Sequence, residues 1–260
     1  MRQSIVDLLA PKDNSVTGDD PEYEERYVAF VDILGWKAAT LNCDPVTLHR
    51  VLTLIAARAR IYNDNFRRET KQRRDVIIPS LYWKVQYSFF SDCFVMSTPI
   101  DFGPRILEAV GQISLMLLQA GFLSRGAVVQ ANIFHKENFV YGAALVTAVE
   151  LEKKAHYPRI LFDQDSITEM PMWNKHFIIE DNQGAQIINL FNVPVTGGDP
   201  TSLLADTFGF SEIVNSLRVG LESSRKNINH HEKWCYMRDN VVRVLETFGQ
   251  AGRPYIVQLS

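Results

Sequence analysis

A buried apolar strand that carries one acid constrains this chain more than any other feature. Residues Tyr27 to Trp36, YVAFVDILGW, form an apolar run that contains Asp32 and breaks at Gly35. Such a run predicts a strand that is buried on both faces. An ionised carboxylate there is costly unless it is paired or bound to a metal. Taken alone, Asp32 fits a strand-end acid held by backbone N–H groups as well as it fits a metal ligand.

A second segment repeats this design. VQYSFFSDCFVM (Val85 to Met96) consists of two apolar, aromatic half-strands with Ser91-Asp92 at the bend, which predicts a tight hairpin. Two acids that each lie at the edge of a buried strand can share one divalent ion. Mg²⁺ and Mn²⁺ accept carboxylate oxygens and take further ligands from substrate phosphates. Asp32 and Asp92 therefore predict a Mg²⁺ or Mn²⁺ site that accepts a nucleoside triphosphate.

Length and composition limit the classes of protein that remain. The 260 residues are enough for one large domain or a domain with an appendage, and the 46% of hydrophobic residues can build a core. The formal charge of −3 gives no bias towards nucleic acid. The three cysteines are isolated, which indicates reduced thiols. The polar start lacks a signal-peptide pattern, and no apolar run has the length of a membrane span. We expect a soluble, cytoplasmic protein.

The order of predicted elements indicates a fold class. Helices are predicted over 44–59, 104–120 and 143–155, and strands over 27–34, 81–90, 93–98, 124–133 and 159–162. The order is β-α-β-β-α-β, which predicts an α+β, ferredoxin-like core over 27–165. Residues 1–26 are predicted to be an N-terminal arm with a short helix. Residues 166–260 are predicted to form a hairpin and two helices, about 211–227 and 232–248, that pack on the core.

Four segments resemble one enzyme family. Phe30-Val31-Asp32-Ile33-Leu34-Gly35-Trp36 resembles the F-x-D-I-x-G-F segment of class III nucleotide cyclases, and Ser91-Asp92-Cys93-Phe94 resembles their G-D-[SC]-[YF] hairpin. Ser124-Arg125-Gly126-Ala127 is similar to their R-[IG]-G strand, and Gly142 to Glu152 follows the spacing of their G-x-x-V-N-x-A-x-R-L-E helix. The order matches over Tyr27 to Phe162. Within the family, the chain is most similar to the Pycsar pyrimidine cyclases of bacterial antiphage defence. The segments that carry this similarity are A-F-V-D-I-L-G-W, F-S-D, S-R-G and L-E-x-x-A-x-Y-P-R-I.

The resemblance implies a reaction and an assembly. A pyrimidine nucleoside triphosphate, UTP or CTP, would be converted to its 3′,5′-cyclic monophosphate and pyrophosphate. The product would activate a separate effector during phage infection. Two divalent ions (Mn²⁺ or Mg²⁺) would be held by Asp32 and Asp92, and the backbone carbonyl of Ile33 would be a ligand of the second. The enzyme would be a homodimer with composite sites, so we expect Asp32 and Arg125 to reach one site from different chains.

The departures from the family pattern affect the base and the phosphate. Ser88 and Phe139 replace the pair that reads a purine, which fits a smaller base. Val146 and Glu150 replace the transition-state asparagine and arginine, so Arg125 or Arg159 would have to stabilise the developing charge. Each of these arginines also fits a strand-end surface charge or a partner for Glu150 or Glu152, and a phosphate role is favoured less for Arg159 than for Arg125.

The remaining substrate contacts are expected from the first strand and the hairpin. Phe30, Gly35 and Trp36 are expected to contact the substrate. Gly35 would let the chain pass close under the phosphates, although a plain tight turn explains it as well. Tyr82 or Tyr87, in an aromatic stripe that otherwise suits a core or an interface, is expected to face the base and to favour UTP over CTP. Two alternatives remain: a non-catalytic cyclase-homology module that binds nucleotide or dimerises, and an adenylate cyclase.

Overall fold

The structure, a computed structural model, describes residues 22–53, 55–57, 86–100, 104–136, 139–165, 177–181, 183–191 and 209–260. The first half contains β1 (Glu24–Leu34), α1 (Trp36–Asn42), α2 (residues 45–57, without residue 54), β2 (Gln86–Phe90), β3 (Cys93–Pro99), α3 (Pro104–Gln119) and β4 (Leu123–Lys136). The second half contains β5 (Phe139–Tyr141), α4 (Ala143–Lys154), β6 (Ile160–Phe162), β7 (Ile178–Glu180), β8 (Gln186–Ile188), α5 (Phe210–Ser224), α6 (Ile228–Thr247) and α7 (Arg253–Leu259).

One mixed sheet organises these elements. Its strand order is β2-β3-β1-β4-β6-β8-β7, and β5 pairs with β4. The β4–β6 pair is parallel, and the other pairs are antiparallel. The first four strands in this order, with α2 between β1 and β2 and α3 between β3 and β4, give the βαββαβ arrangement. The predicted α+β, ferredoxin-like fold class is therefore confirmed.

The two faces of β1 serve different cores because side chains alternate across a strand. Tyr27, Ala29, Val31 and Ile33 belong to the main apolar core, together with buried side chains of α3, α5 and α6. Val28 belongs to a second cluster with Ala144 and Ala148 of α4. Asp32 has the same parity as Val28, so it points to the α4 side of the sheet.

Several boundaries follow the chemistry anticipated from the sequence. Asp44 caps α2, since its Oδ1 accepts hydrogen bonds from the N–H groups of Val46 (2.8 Å) and Thr47 (3.1 Å). Gly121 follows α3 with φ of 85°, a conformation that favours glycine. The hairpin of β7 and β8 lies where a hairpin is predicted.

Several boundaries and elements differ from the sequence prediction. The first strand begins at Glu24 rather than Tyr27, because the polar Arg26 is buried and its Nε donates to Ser97 Oγ at 3.0 Å. A polar residue with an internal partner can occupy a strand that the hydrophobic pattern does not include. The last helix, α7, was not predicted, and it follows the end of α6 after a short 3₁₀ turn, Gly249–Ala251.

The C-terminal elements continue the structure of the core. β8 pairs with β6, and α5 packs on α3 through side chains of the main apolar core. No helix in the described part of the chain is long and apolar enough to cross a membrane. The predicted N-terminal helix and the predicted strand segment 81–85 lie outside the described residues.

Candidate active site

Two acids that are distant in sequence lie at one corner of the sheet. Asp32 is near the end of β1, opposite Cys93 of β3 and Arg125 of β4. Asp92 lies in the turn between β2 and β3, and its carbonyl accepts a hydrogen bond from the N–H of Ile33 at 2.7 Å. The register of β1 on β3 therefore places the turn beside Asp32. The structure brings together the pair on which the sequence hypothesis depends.

Tight turns place both acids. Ser91 has φ of 50°, a left-handed conformation that a non-glycine residue rarely adopts, and it lets a two-residue turn connect β2 to β3. Gly35 has φ of 87° and begins α1, so β1 ends directly after the Asp32 corner. A tight turn is thus sufficient to explain Gly35. Its contact with phosphate stays a prediction.

The corner carries an excess of negative charge. The pKa of Asp32 is raised from 3.8 to about 6, and burial is the largest cause. The charges of Glu152 and Asp92 contribute to the rise, and those of Arg125 and Lys233 oppose it. Burial, Asp92, Asp32 and Glu152 raise the pKa of the Cys93 thiol to about 11. Both shifts have the sign expected where carboxylates crowd together without enough cations. A bound divalent ion would reverse that imbalance.

Arg125 is the arginine that contacts Asp32. Its Nε donates to Glu152 Oε1 at 2.5 Å, and its Nη2 lies 3.5 Å from Asp32 Oδ2. The side chains of Arg125 and Asp32 are 24% and 23% exposed, whereas Glu152 is 7% exposed. The expectation that Asp32 and Arg125 meet from different chains is therefore wrong for this structure. They are neighbours in one chain because β1 and β4 pair with Asp32 opposite Arg125.

The donor set fits a metal that takes its other ligands from a substrate. Within the described residues, no group of three or more His, Cys, Asp or Glu side chains is arranged to hold a metal. Asp32, Asp92 and the Ile33 carbonyl can provide only part of an octahedral shell. The raised pKa of Asp32 indicates that its carboxylate lacks a sufficient counter-charge. The residues fit a divalent ion that arrives with phosphates, and they do not form a closed site.

Ser88 is part of a buried polar network. Its Oγ lies 3.0 Å from Nε2 of His135, and Nδ1 of His135 lies 2.9 Å from Ser97 Oγ, which accepts a hydrogen bond from Arg26 Nε. Ser88 and His135 are each 7% exposed. Burial and the charge of Arg26 lower the pKa of His135 from 6.5 to about 4, so the imidazole is neutral at pH 7. The position expected to read the base is thus coupled to a neutral histidine.

The aromatic candidates do not all face this corner. Phe30 is half-buried and packs on the α4 side, the same side as Asp32. Trp36 is 7% exposed and lies in the main core, against Phe122 (ring centroids 5.5 Å) and Phe89 (6.2 Å). Tyr87 packs against the main core and lines an apolar cavity of about 180 Å³, on the face opposite Asp32. Tyr82 lies outside the described residues.

Arg159 belongs to a different cluster. Its Nη1 is ion-paired with Asp181 and donates to Gln183 Oε1 at 3.2 Å. Asp181 also accepts a hydrogen bond from the hydroxyl of Tyr236 of α6 at 3.0 Å, and Tyr236 stacks on Tyr157 with 4.8 Å between ring centroids. These contacts fix Arg159 between β6 and the β7–β8 hairpin. The structure does not bring its guanidinium to Asp32 as it does that of Arg125.

Sequence reasoning did not assign a site role to Glu152, His135 or Lys233. Glu152 had a detectable signal, because it follows the buried Ala144 and Ala148 at steps of four residues and so faces inward. His135 had none, since it reaches Ser88 and Ser97 only through the pairing of distant strands. Lys233 comes from α6, in the C-terminal extension, whose packing near Asp32 no motif indicates.

Comparisons with known proteins give structural similarity only. No protein-family model matches the chain, and no curated protein matches it. The chain is similar to the crystal structure of the guanylyl cyclase Cya2, with 10% identity and a TM-score of 0.42 over 68% of this chain and 97% of that one. It is also similar to the crystal structure of the adenylyl cyclase CyaB from P. aeruginosa, with 12% identity and a TM-score of 0.41 over 65% and 96%. At such identities, reaction and substrate have to be argued from the chain's own residues.

Proposed function

We propose that this protein is a metal-dependent nucleotide cyclase that acts on a pyrimidine nucleoside triphosphate. The observation that supports this proposal is the corner where Asp32 and Asp92 meet, with its excess of negative charge. Retaining a poorly compensated carboxylate in a partly buried strand is costly unless a cation binds there. The four sequence segments that resemble class III nucleotide cyclases include both acids.

Each residue of the corner has a role in this proposal. Asp32, Asp92 and the carbonyl of Ile33 hold the divalent ions. When bound, Mg²⁺ or Mn²⁺ would lower the pKa of the ribose 3′-hydroxyl and provide a counter-charge for the triphosphate. The loop from Ile33 to Gly35 lets the backbone approach the phosphates. The protein's own groups fix the orientation in which the 3′-oxygen attacks the α-phosphorus while pyrophosphate leaves.

Arg125 is the residue proposed to stabilise the transferring phosphate. Its Nη2 edge is beside Asp32, where the phosphates of a metal-bound nucleotide would lie. Val146 and Glu150 of α4 are both exposed and cannot supply an amide donor and a cation. In this proposal, Arg125 supplies the positive charge that class III nucleotide cyclases carry on the helix that corresponds to α4. Arg159 is proposed to contribute to substrate binding only indirectly, because its guanidinium is paired with Asp181.

The base is proposed to be a pyrimidine, with UTP preferred over CTP. Ser88 carries no charge and is coupled to the neutral His135, so a purine edge meets no ionised partner there. At the second base-reading position that the resemblance implies, this chain has Phe139 instead of an acid. A tyrosine from the segment Tyr82 to Tyr87 remains the proposed reader of the uracil edge. Tyr87 packs against the main core on the face opposite Asp32, so Tyr82 is the tyrosine proposed to read the uracil edge.

A homodimer and a role in antiphage signalling complete the proposal. Tyr23, Phe139, Tyr141 and Val146 are exposed, at 59%, 67%, 42% and 59%, and the rings of Tyr23 and Tyr141 are in contact. Exposed apolar side chains grouped in this way are typical of an interaction surface. The second-messenger role, with a cyclic-nucleotide effector as the partner, follows from the resemblance to the Pycsar cyclases.

A competition assay tests the substrate class. The purified protein is incubated with Mn²⁺ and equal concentrations of UTP, CTP, ATP and GTP, and the cyclic products are counted by mass spectrometry. We expect cyclic UMP to predominate. Predominant cyclic AMP would overturn the pyrimidine proposal. Predominant cyclic CMP would overturn only the argument for a uracil-reading tyrosine.

A further inference from the structure

Glu152 is a buried acid that the cyclisation chemistry described above does not use. It lies near the end of α4, its side chain is 7% exposed, and its Oε1 accepts a hydrogen bond from Arg125 Nε at 2.5 Å. A carboxylate this buried is stable only with a partner, so Arg125 and Glu152 hold each other in place. This contact occupies the Nε–H donor of the planar guanidinium and leaves the N–H donors of Nη1 and Nη2 for other partners.

The Nη2 group of Arg125 makes a looser contact with Asp32. The distance from Nη2 to Asp32 Oδ2 is 3.5 Å, a full ångström longer than the contact with Glu152. The two acids therefore compete for one guanidinium, and Glu152 has the closer contact. As a result, the guanidinium leaves most of the negative charge of Asp32 and Asp92 uncompensated. A divalent cation needs that charge.

We propose that Glu152 is a positioning residue: it holds Arg125 by the Nε edge, so that the arginine faces the phosphates without neutralising Asp32. This inference rests on the proposed metal-dependent function and adds to it the element that keeps the arginine and the metal apart. Without Glu152, the guanidinium of Arg125 would pair fully with Asp32 and neutralise the negative charge that the metal needs. Glu152 acts only through Arg125 and touches neither metal nor substrate.

A double-mutant cycle on Mn²⁺ binding tests this role without any catalysis. The free Mn²⁺ signal in electron paramagnetic resonance gives the Kd for the full-length wild type, Glu152→Gln, Arg125→Gln and the double variant. Glu152→Gln keeps the size and an acceptor oxygen. We expect it to weaken Mn²⁺ binding about tenfold, and Arg125→Gln to tighten it about tenfold, because a cation in contact with Asp32 opposes the metal. In the Arg125→Gln background, Glu152→Gln should change the Kd less than about twofold.

A matched control separates position from charge. Glu150→Gln removes the same charge from an exposed site two residues away on α4, and its effect on the Kd should stay within about twofold. Melting temperatures establish that each variant is folded. If Glu152→Gln weakens Mn²⁺ binding equally in both backgrounds, Glu152 acts independently, as a ligand or a local charge, and the inference is overturned. An unchanged Kd in Glu152→Gln overturns it as well. A wild type that binds Mn²⁺ neither alone nor together with 3′-deoxy-UTP, a nucleotide that cannot cyclise, would instead contradict the proposed metal-dependent function, and the inference with it.

Discussion

Replacing Asp32 by asparagine should abolish cyclisation and make the protein more stable. In the folded protein the pKa of Asp32 is about 6, against 3.8 for an ordinary aspartate. The contact with Arg125 favours the ionised form, but burial and the charge of Glu152 outweigh it. Because the folded pKa is the higher one, the unfolded chain ionises first. Stability therefore falls as the pH rises from 3.8 to about 6, and the whole cost is present above that value.

The magnitude follows from the size of the shift. A difference of roughly two pKa units corresponds to about 3 kcal/mol at 1.36 kcal/mol per unit. Solvent reaches a side chain that is 23% exposed, which reduces the effect, so we expect Asp32→Asn to gain about 1–2 kcal/mol at pH 8. For a chain of this length, that gain raises the Tm by about 3–6 °C. At pH 4 the difference should shrink to a few tenths of a kcal/mol, about the size of a neutral surface substitution.

Urea unfolding at pH 8 and pH 4 provides the measurement, with the m-value as a check that the unfolded states are comparable. The same preparation is assayed for cyclic nucleotide. An Asp32→Asn protein that is less stable than the wild type at pH 8 by 1 kcal/mol or more would refute the reasoning. It would mean that the ion pair with Arg125 outweighs burial, and that Asp32 is not a poorly compensated acid that awaits a metal.

Three further predictions concern other parts of the molecule. Between pH 6.5 and 4, where unfolded His135 is protonated and the folded residue is not, His135 should contribute a loss of about 3 kcal/mol to the unfolding free energy of the wild type. Urea titrations should show this loss as the difference between the wild type and His135→Asn, because protonation of Asp32 affects both proteins alike. Gly126→Ala should lower the free energy of unfolding by about 2–4 kcal/mol in the same assay, because a Cβ would lie 2.3 Å from the Phe30 carbonyl oxygen. Gly35→Ala should lower it by only about 1 kcal/mol, because its Cβ would meet open space and only the positive φ opposes the substitution. Mixed dimers of Asp32→Asn and Arg125→Gln subunits should recover no cyclase activity, because Asp32 and Arg125 belong to the same corner of one chain. Recovery to a quarter of wild-type activity would show that the two chains share the site.

The fold could be predicted because local sequence patterns indicate the individual helices and strands, and the order of these elements along the chain indicates how they assemble. The apolar run of β1, the Asp44-Pro45 helix start and the glycine after α3 each indicate an element, and their sequence order gives βαββαβ. Strand pairing also placed Asp32 beside Asp92 as expected, because β1 and the β2–β3 hairpin are adjacent in such a sheet. These inferences need only periodicity, caps and topology.

The rest of the site could not be predicted because it depends on register and on distant packing. Whether Arg125 meets Asp32 in its own chain depends on the register of β1 against β4, which no motif states. The network of Ser88, His135 and Ser97 depends on the length of β4, which extends past the predicted end at residue 133 to Lys136. Trp36 matched a motif position, yet its ring packs in the core.

The central claim is that the corner formed by Asp32 and Asp92 supports metal-dependent cyclisation of a nucleoside triphosphate. The most direct test is to incubate the wild type and Asp92→Asn separately with UTP and Mn²⁺, and to measure cyclic UMP and pyrophosphate by mass spectrometry. We predict equimolar cyclic UMP and pyrophosphate from the wild type, loss of both when Mn²⁺ is chelated, and loss of both in a folded Asp92→Asn protein. Undiminished product from Asp92→Asn, or no cyclic product from the wild type with any of the four nucleoside triphosphates, would contradict the claim.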